Sequence, residues 1–387
     1  MSMSFKYELP TKIEFGHHVI QKLPEHVHAL GGSRALIVTD PGLIEAGIVD
    51  QAVQPLLDAQ IPFDIFSEIE PDPDIEGVPK AVQAAQKAGC DIVIGLGGGS
   101  SLDTAKAAGI MLGNDGDIRD YVGINKVPHR GAPVIAVPTT AGTGSEVTIW
   151  SVLTDKQSGA KLSVGSPHNC PALALCDPML TLTLPPHITA ATGMDALTHA
   201  LESYVNKATQ PISEGMSLQA MTLIARSLRT AVFHGKDVQA RYDMLLASLI
   251  AALAFNETRL GIAHALALPL GAHFHIPHGT VNAMLLPEVM EFNYPSQIEK
   301  FKRIAEIFGE RVAEVSDREA AYRSVAAIRQ LKEDVGITQS LTSYGVQEEH
   351  LDRIAEEAMQ SGNIPVNPRM PTPEDLKQIC RKLMTPS

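Results

Sequence analysis

Cysteine is scarce in this chain: there are four in 387 residues, Cys90, Cys170, Cys176 and Cys380, and no two are spaced as CxxC. That excludes a disulfide scaffold and a thiolate zinc site. It fits a reducing compartment, so a cytoplasmic location is expected. Aromatic residues are few, at 5%, with a single tryptophan. The apolar 44% is carried instead by Ala, Leu, Ile and Val, which suit buried parallel strands and packed helices. No uninterrupted apolar run approaches the ~20 residues of a membrane span. The opening MSMSFKYELPTKIEFG lacks the apolar stretch of a signal peptide, so no membrane partner is expected. Basic charge is also short. A net charge of −13 repels a phosphate backbone, so nucleic acid is not an expected partner. A dinucleotide is compatible with that charge, because main-chain amides make a local electropositive site.

What the chain does have is alternation. Apolar runs at 34–40, 61–66, 90–97 and 132–140 read as strands, and 77–89 and 101–112 read as helices. Strands alternating with helices imply a parallel sheet covered on both faces. After about Leu184 the pattern becomes helical, over 187–206, 210–231, 239–256, 258–272, 297–308, 317–336 and 346–360. The expected architecture is therefore an α/β nucleotide-binding domain with a parallel sheet over 1–184 and an all-α domain over 185–387. The boundary falls near Pro185-Pro186, and a ligand cleft between two such domains is the default expectation.

GLGGGSSLDTAKA (95–107) joins a predicted strand to a predicted helix. Gly97, Gly98 and Gly99 let a phosphate approach the main chain, and the helix N-terminus offers unpaired N–H groups. Ser100 and Ser101 can cap that helix or donate to phosphate. The spacing matches neither G-x-G-x-x-G nor the P-loop pattern, so a tight turn without a ligand competes with this reading. Asp40 ends an early strand, where it could accept ribose hydroxyls and repel the extra phosphate of NADP. It precedes the glycine loop rather than following it, and a turn-forming Asp before Pro-Gly is the plainer reading. VPTTAGTGSEVT (137–148) also follows a strand, and Thr139, Thr140, Thr143 and Ser145 are small hydroxyl residues that could line a nucleotide or simply form a loop.

GMDALTHALESY (193–204) places Asp195 and His199 four apart, on one helix face, with Glu202 a turn on. GIAHALALPLGAHFHIPHGT (261–280) holds His264, His273, His275 and His278, four of the fourteen histidines. His264 lies in an apolar helix, where an imidazole needs a partner. His278, between Pro277 and Gly279, sits on a rigid turn that can aim it back. Asp195, His199, His264 and His278 would suit Fe(II), Zn(II) or a similar ion. A core histidine bonded to backbone, or a solvated Asp/His pair, is the competing reading for each residue alone.

Taken in order, GGGSSLDTAKA, PTTAGTGSEVT, DPMLTLTLP, TGMDALTHALESY, GIAHALALPLGAHFHIPHG and the closing VNPRMPTPEDL resemble the iron-containing (group III) alcohol dehydrogenases, over roughly residues 5–385. The resemblance implies the dehydroquinate synthase-like architecture of that family and an NAD-linked, metal-dependent alcohol dehydrogenase or aldehyde reductase acting on a small primary alcohol or aldehyde. It implies NAD and Fe(II) as cofactors, with Zn(II) as the alternative ion, and a homodimer or higher homo-oligomer. It makes Asp195, His199, His264 and His278 the metal ligands. It makes Gly97, Gly98, Gly99 and Ser100 the pyrophosphate loop, with Asp103 on the following helix counted among the cofactor residues. Asp40 becomes the acid that favours NAD over NADP. Thr139, Thr140 and Ser145 lie near adenine and nicotinamide, Lys161 near the ribose, and Leu180 against the cofactor.

Two positions depart from the family pattern. Many members carry a second histidine four residues after the one at His264, near the substrate; here that position is Leu268, which removes a proton-handling group. Trp150 stands where some members have a small polar residue. Trp150, Phe255 and Leu268 therefore outline a compact, partly apolar substrate pocket, and His273 or His275 becomes the candidate proton relay. The expected chemistry is Lewis-acid polarisation of the substrate oxygen and hydride exchange with nicotinamide. A dehydroquinate synthase-type lyase that uses NAD transiently, or a metal-dependent hydrolase with a merely structural glycine loop, would share parts of this pattern.

Overall fold

The structure, a computed structural model, describes residues 4–157 and 159–384. The chain divides into two compact units, one spanning Glu8–Leu184 and the other running from Pro185 onward and including the segment before Glu8. That segment joins the later unit because the Tyr7 hydroxyl donates to the Leu253 carbonyl at 3.2 Å and lies 3.6 Å from the Met216 sulfur.

The Glu8–Leu184 unit contains strands β1 (Lys12–Phe15), β2 (Ala35–Val38), β3 (Phe63–Phe66), β4 (Ile92–Gly97), β5 (Gly123–Ile124), β6 (Val134–Pro138), β7 (Trp150–Asp155), β8 (Ala160–Gly165) and β9 (Leu173–Cys176). Its helices are α1 (Leu23–Ala29), α2 (Pro41–Glu45), α3 (Ile48–Asp58), α4 (Gly77–Ala88) and α5 (Gly99–Met111). Six strands form a parallel sheet in the order β1-β9-β6-β4-β2-β3. Side chains alternate across it. Ala35 and Ile37 of β2 enter the cluster that holds Val27, Val53 and Leu56 of α1 and α3; Leu36 and Val38 enter the one that holds Ala81, Ala105 and Ala108 of α4 and α5. With both faces covered, an uninterrupted apolar run is what each strand needs.

A smaller sheet, β5-β8-β7, pairs β7 and β8 as an antiparallel hairpin. The sequence reading did not expect it. Its strands are only partly buried, so they lack the continuous apolar runs that marked the larger sheet.

The later unit is helical: α6 (Pro186–Val205), α7 (Pro211–Phe233), α8 (Val238–Thr258), α9 (Ile262–Phe274), α10 (His278–Asn293), α11 (Ile298–Ile307), α12 (Asp317–Asp334), α13 (Leu351–Met359) and α14 (Pro373–Lys382). Helix α8 is long and apolar enough to cross a membrane by composition alone. It nevertheless carries Arg241 and Asp243 and is mostly covered by its neighbours, as the core helix of a packed bundle would be. Helix α10 differs most from expectation: His278 is not on an isolated turn but opens a 16-residue helix. Pro277 occupies the N-cap and Pro287 lies inside, which hides the helix from a reading based on punctuation.

Candidate active site

Within the Glu8–Leu184 unit the strand order explains why an acid can precede the glycine loop. The chain runs from β2 outward to β3 and then returns to β4 on the other side of β2. Val38 pairs with Gly95, so the carboxyl ends of β2 and β4 lie side by side at the point where the winding reverses, the place where open α/β sheets bind ligands. Ser101 Oγ lies 3.5 Å from Asp40 Oδ2, while Asp40 Oδ1 accepts the Leu43 N–H at 3.1 Å and caps α2.

The glycines are needed sterically. Gly97 has φ 152°, and a Cβ there would stand 2.6 Å from Ser101 Oγ; one on Gly99 would stand 2.8 Å from Thr143 Cγ2, and one on Gly98 3.3 Å from Thr140 Cγ2. Helix α5 begins at Gly99 with no side-chain cap, so its first N–H groups are open to an anion. A glycine-walled cradle at a helix N-terminus, lined by Thr140 and Thr143 with Asp40 beside it, fits a dinucleotide.

Other residues placed with the cofactor serve the scaffold as well. Asp103 is buried; its oxygens accept the Ser145 hydroxyl and, at 2.9 Å, the Val152 N–H. Thr139 donates its N–H to the Gly97 carbonyl. Lys161 pairs with Asp72. Leu180 is buried in the apolar core of the sheet. The Trp150 ring covers Gly165, where a Cβ would come within 2.3 Å of it.

A residue the sequence reading passed over, Lys106, locks this region. Its fully buried amine donates to Ser145 O and Oγ, both at 2.9 Å, and to the Trp150 carbonyl, tying α5 to the 139–150 loop. A lone lysine among Ala, Thr and Gly on a central helix was the available signal. Glu146 in the same loop is buried with its Oε1 unpartnered, and burial pushes its carboxyl up to about 7.

The second constellation lies wholly in the helical unit. Asp195 and His199 are one turn apart on α6, His264 is in the first turn of α9, and His278 opens α10. Ligand atoms of Asp195, His199 and His264 all lie within 4.8 Å of one another, and all three residues are buried. Asp195 Oδ1 is 3.7 Å from His264 Nε2 and 3.8 Å from His278 Nε2. The imidazoles of His199 and His264 stack at 4.7 Å, and Phe255 backs His199 at 4.5 Å. His278 is the most accessible member, with 34% of its side chain exposed.

Small residues permit this convergence. A Cβ on Gly279 of α10 would lie 2.4 Å from the Ala191 carbonyl oxygen of α6, so the two helices meet backbone to backbone. Gly261 leaves room for Glu202, which accepts the Gly261 and Ala263 N–H groups at 2.9 and 2.8 Å and the His264 Nδ1–H at 2.7 Å. Glu202 thus caps α9 and aims His264 Nε2 toward Asp195, the carboxylate–histidine arrangement that typically supports a metal ligand. Asn367, in the closing VNPR segment, braces the same turn by accepting the Ile262 N–H at 3.4 Å and bonding reciprocally with Asn293.

The electrostatics call for a cation. Burial works to raise the Asp195 carboxyl, but His199, His278 and His264 outweigh it and hold it well below the usual carboxylate range. Burial works to lower the His264 imidazole, but hydrogen bonds to Asp195 and Glu202 raise it to about 9. Three imidazoles and a carboxylate, with one carboxylate more behind them, fit a divalent transition metal. Leu268 lies one turn beyond His264 and is partly exposed. His273 is tied by Nε2 to Glu357 at 2.8 Å, and His275 is exposed at the end of α9. Both lie roughly 14 Å or more along the chain from His264 at helical rise.

Residues 10–178 match the family described as iron-containing alcohol dehydrogenase, and residues 189–384 match the C-terminal part of the Fe-containing alcohol dehydrogenase family. A 1,3-propanediol dehydrogenase of Klebsiella pneumoniae is 41% identical over 98% of this chain and 98% of its own length. The crystal structure of a 1,3-propanediol oxidoreductase superimposes with a TM-score of 0.96, at 41% identity, over 98% of this chain and all of the other. A sulfoacetaldehyde reductase from Bifidobacterium kashiwanohense, solved in complex with NAD+, superimposes with a TM-score of 0.90 at 31% identity, covering 99% of this chain and all of that one.

Proposed function

The chain belongs to the iron-containing alcohol dehydrogenase family and is an NAD-linked alcohol/aldehyde oxidoreductase, and from that premise we propose that it interconverts short primary alcohols or diols and their aldehydes, using Fe(II) held by Asp195, His199, His264 and His278. The observation that carries the reading is the meeting of Asp195, His199 and His264 within 4.8 Å of one another, with His278 Nε2 3.8 Å from Asp195 Oδ1 and Glu202 fixing His264 from behind. The donor set also accepts Zn(II), and iron is preferred here on family grounds.

When bound, the metal supplies a Lewis acid for the substrate oxygen and the nicotinamide supplies or accepts the hydride. The chain's own residues do the rest. Asp195 contributes the one negative charge inside the ligand set, which favours a divalent ion over a proton at His264. Glu202 holds the His264 ring in a single tautomer. Gly97, Gly98, Gly99 and Ser100 present main-chain N–H groups to the pyrophosphate, and Thr140 and Thr143 wall that cradle. Asp40 accepts ribose hydroxyls and repels a 2′-phosphate, selecting NAD. Asp103, Thr139, Ser145 and Lys106 hold the cradle's shape; Lys161 and Leu180 are assigned to the ribose and the cofactor's apolar side. Phe255 and Leu268 make the metal's surroundings apolar, and Trp150 is assigned to the substrate pocket. With Leu268 in place of a histidine, we assign proton exchange to water, with His273 and His275 as the relay toward solvent; an unchanged pH–rate profile in His273→Ala removes His273 from it. A cytoplasmic homo-oligomer is the proposed setting, and sedimentation tests the assembly.

The deciding experiment follows absorbance at 340 nm with protein loaded separately with Fe(II) and Zn(II): NADH formation from NAD+ over a series of short alcohols and diols, and NADH consumption with the corresponding aldehydes. Activity on at least one short primary alcohol, strongest with Fe(II), is expected. Absence of turnover with every substrate and both metals refutes the reading.

A further inference from the structure

Two lysines are buried among the described residues, Lys106 and Lys332. Lys106 spends its amine on Ser145 and the Trp150 carbonyl. Lys332 is the reverse case. It is 5% exposed, yet its amine has no hydrogen-bond or ion-pair partner among the described residues. The way α12 ends puts it there. Gly336 is left-handed (φ 84°), and the Gly336 and Ile337 N–H groups return to the Glu333 and Lys332 carbonyls at 2.9 and 3.0 Å. In such an ending the residue at Lys332 commonly packs against the one at Ile337, which is buried, so the lysine stem fills a place suited to an apolar side chain. Helical side chains lean toward the N-terminus, so the amine heads for Arg329, not for the carbonyl end of α12.

The acids that could neutralise it are engaged elsewhere. Arg329 holds Glu288 and Glu291 of α10 at 2.8 and 3.5 Å, and Lys382 of α14 holds the same two at 3.5 and 3.1 Å. Of three cations near two carboxylates, Lys332 is the one left over. Glu333, next in the chain, is exposed and acts only at a distance. Burial lowers the Lys332 amine below its usual value and Arg329 pushes the same way, while Glu333 and Glu288 oppose them. The sealed polar atoms that lack a partner lie elsewhere, so the Lys332 nitrogen itself keeps contact with solvent.

We propose that Lys332 is a site of covalent modification by small aldehydes, which condense with its amine to an imine. A lysine that is desolvated, or set beside another cation, offers a free lone pair and becomes a nucleophile. The nitrogen attacks the carbonyl carbon and an N–C bond forms. Loss of water then leaves a C=N bond. Nothing is oxidised or reduced, and water reverses the step. Aldehydes are a class that this oxidoreductase family forms or consumes, so the reagent is present wherever the enzyme turns over. The site stands apart from the metal centre, since Glu288 lies about 15 Å along α10 from His278 at helical rise.

The test uses the full-length, metal-loaded protein without NAD(H), and propanal as the probe. Cyanoborohydride adds hydride to each imine carbon and fixes the adduct as a secondary amine, and peptide mass spectrometry reads the rate at each lysine. Lys87 and Lys236, both exposed, are the references. Each unit by which an amine's pKa falls raises its neutral fraction about tenfold, so at pH 7 Lys332 should be labelled at least about fivefold faster than either reference. Its rate should also level off at a lower pH than theirs. Arg329→Gln removes the repelling cation and frees Glu288 and Glu291 for Lys332, so the rate at pH 7 should fall to about that of the references. Labelling of Lys332 no faster than Lys87 and Lys236, or with the same pH profile, overturns the proposal. So does a folded Arg329→Gln protein in which Lys332 reacts as in wild type. Should that variant fail to fold, the wild-type rates decide alone. Loss of dehydrogenase activity on every substrate would sink the functional reading and leave these rates unchanged.

Discussion

Gly279→Ala adds one methyl group at the crossing of α6 and α10, and its cost can be worked from the contact it makes. The new Cβ would stand 2.4 Å from the Ala191 carbonyl oxygen, 2.8 Å from the carbonyl carbon and 3.4 Å from the Thr192 nitrogen. A carbon–oxygen contact relaxes at about 3.3–3.6 Å, so the helices must part by about 1 Å, and the atoms met are main chain and cannot swing aside. Ala191 is one turn before Asp195, and Gly279 adjoins His278. The separation therefore falls directly on the 3.8 Å between His278 Nε2 and Asp195 Oδ1. Metal ligands tolerate about ±0.2 Å, so a shift of that size loses a ligand and should weaken metal binding at least tenfold. Overpacking should also cost roughly 1–3 kcal/mol of stability. Chelator competition and urea unfolding, each with and without metal, read the two effects separately. Gly215→Ala on α7 is the control: its Cβ meets nothing within 4 Å, and it should gain about 0.5–1 kcal/mol with no change in metal affinity. Wild-type metal affinity in Gly279→Ala would refute the reasoning that helix approach at this point builds the site.

Three further outcomes follow from other residues. Glu202→Ala leaves the Gly261 and Ala263 N–H groups and His264 Nδ1 without their acceptor; metal affinity should fall roughly 10–100-fold, with Glu202→Gln falling between that and wild type, and equal affinities in all three would reject the orienting role. Gly99→Ala pushes a Cβ against Thr143 Cγ2 at 2.8 Å and should raise the dissociation constant for NADH at least tenfold by fluorescence titration while leaving metal content unchanged, whereas a change in metal content alone would contradict the assignment of the loop. Burial pushes the Glu146 carboxyl up to about 7 from 4.5, so between those values the unfolded chain releases its proton while the folded one keeps it, and stability is lost as pH rises through 7. Glu146→Gln should therefore gain on wild type by about 3 kcal/mol on going from pH 4 to pH 8, and parallel stability–pH curves would show that the acid is not held neutral.

The parts of the fold legible in the sequence are those where one physical requirement dominates. Strands β2, β4 and β6 are buried on both faces, so their apolar runs have no competing explanation. The Asp195/His199 spacing and His264 in an apolar helix pointed to each other because a buried imidazole needs a partner. Helix α14 was not among the expected helices, although its start is marked by a capping box of Thr372 and Asp375 with Pro373 at the first position. The β7–β8 hairpin and α10 were not legible, because partial burial and internal prolines blur their periodicity. Asn367 was out of reach for a different reason: it acts on residues distant in the chain, and an Asn carries no mark of what it will touch; Lys106 offered only its isolation among small residues of α5. Asp40 shows the converse case, since its place before the glycine loop looked anomalous until the strand order put β2 beside β4.

The most direct measurement is X-ray absorption at the iron edge of the Fe(II)-loaded protein. The account predicts a first shell of nitrogen and oxygen at about 2.0–2.2 Å, with the outer-shell scattering of three imidazole rings and no sulfur. A shell with fewer than three imidazoles, or one containing sulfur, would contradict it.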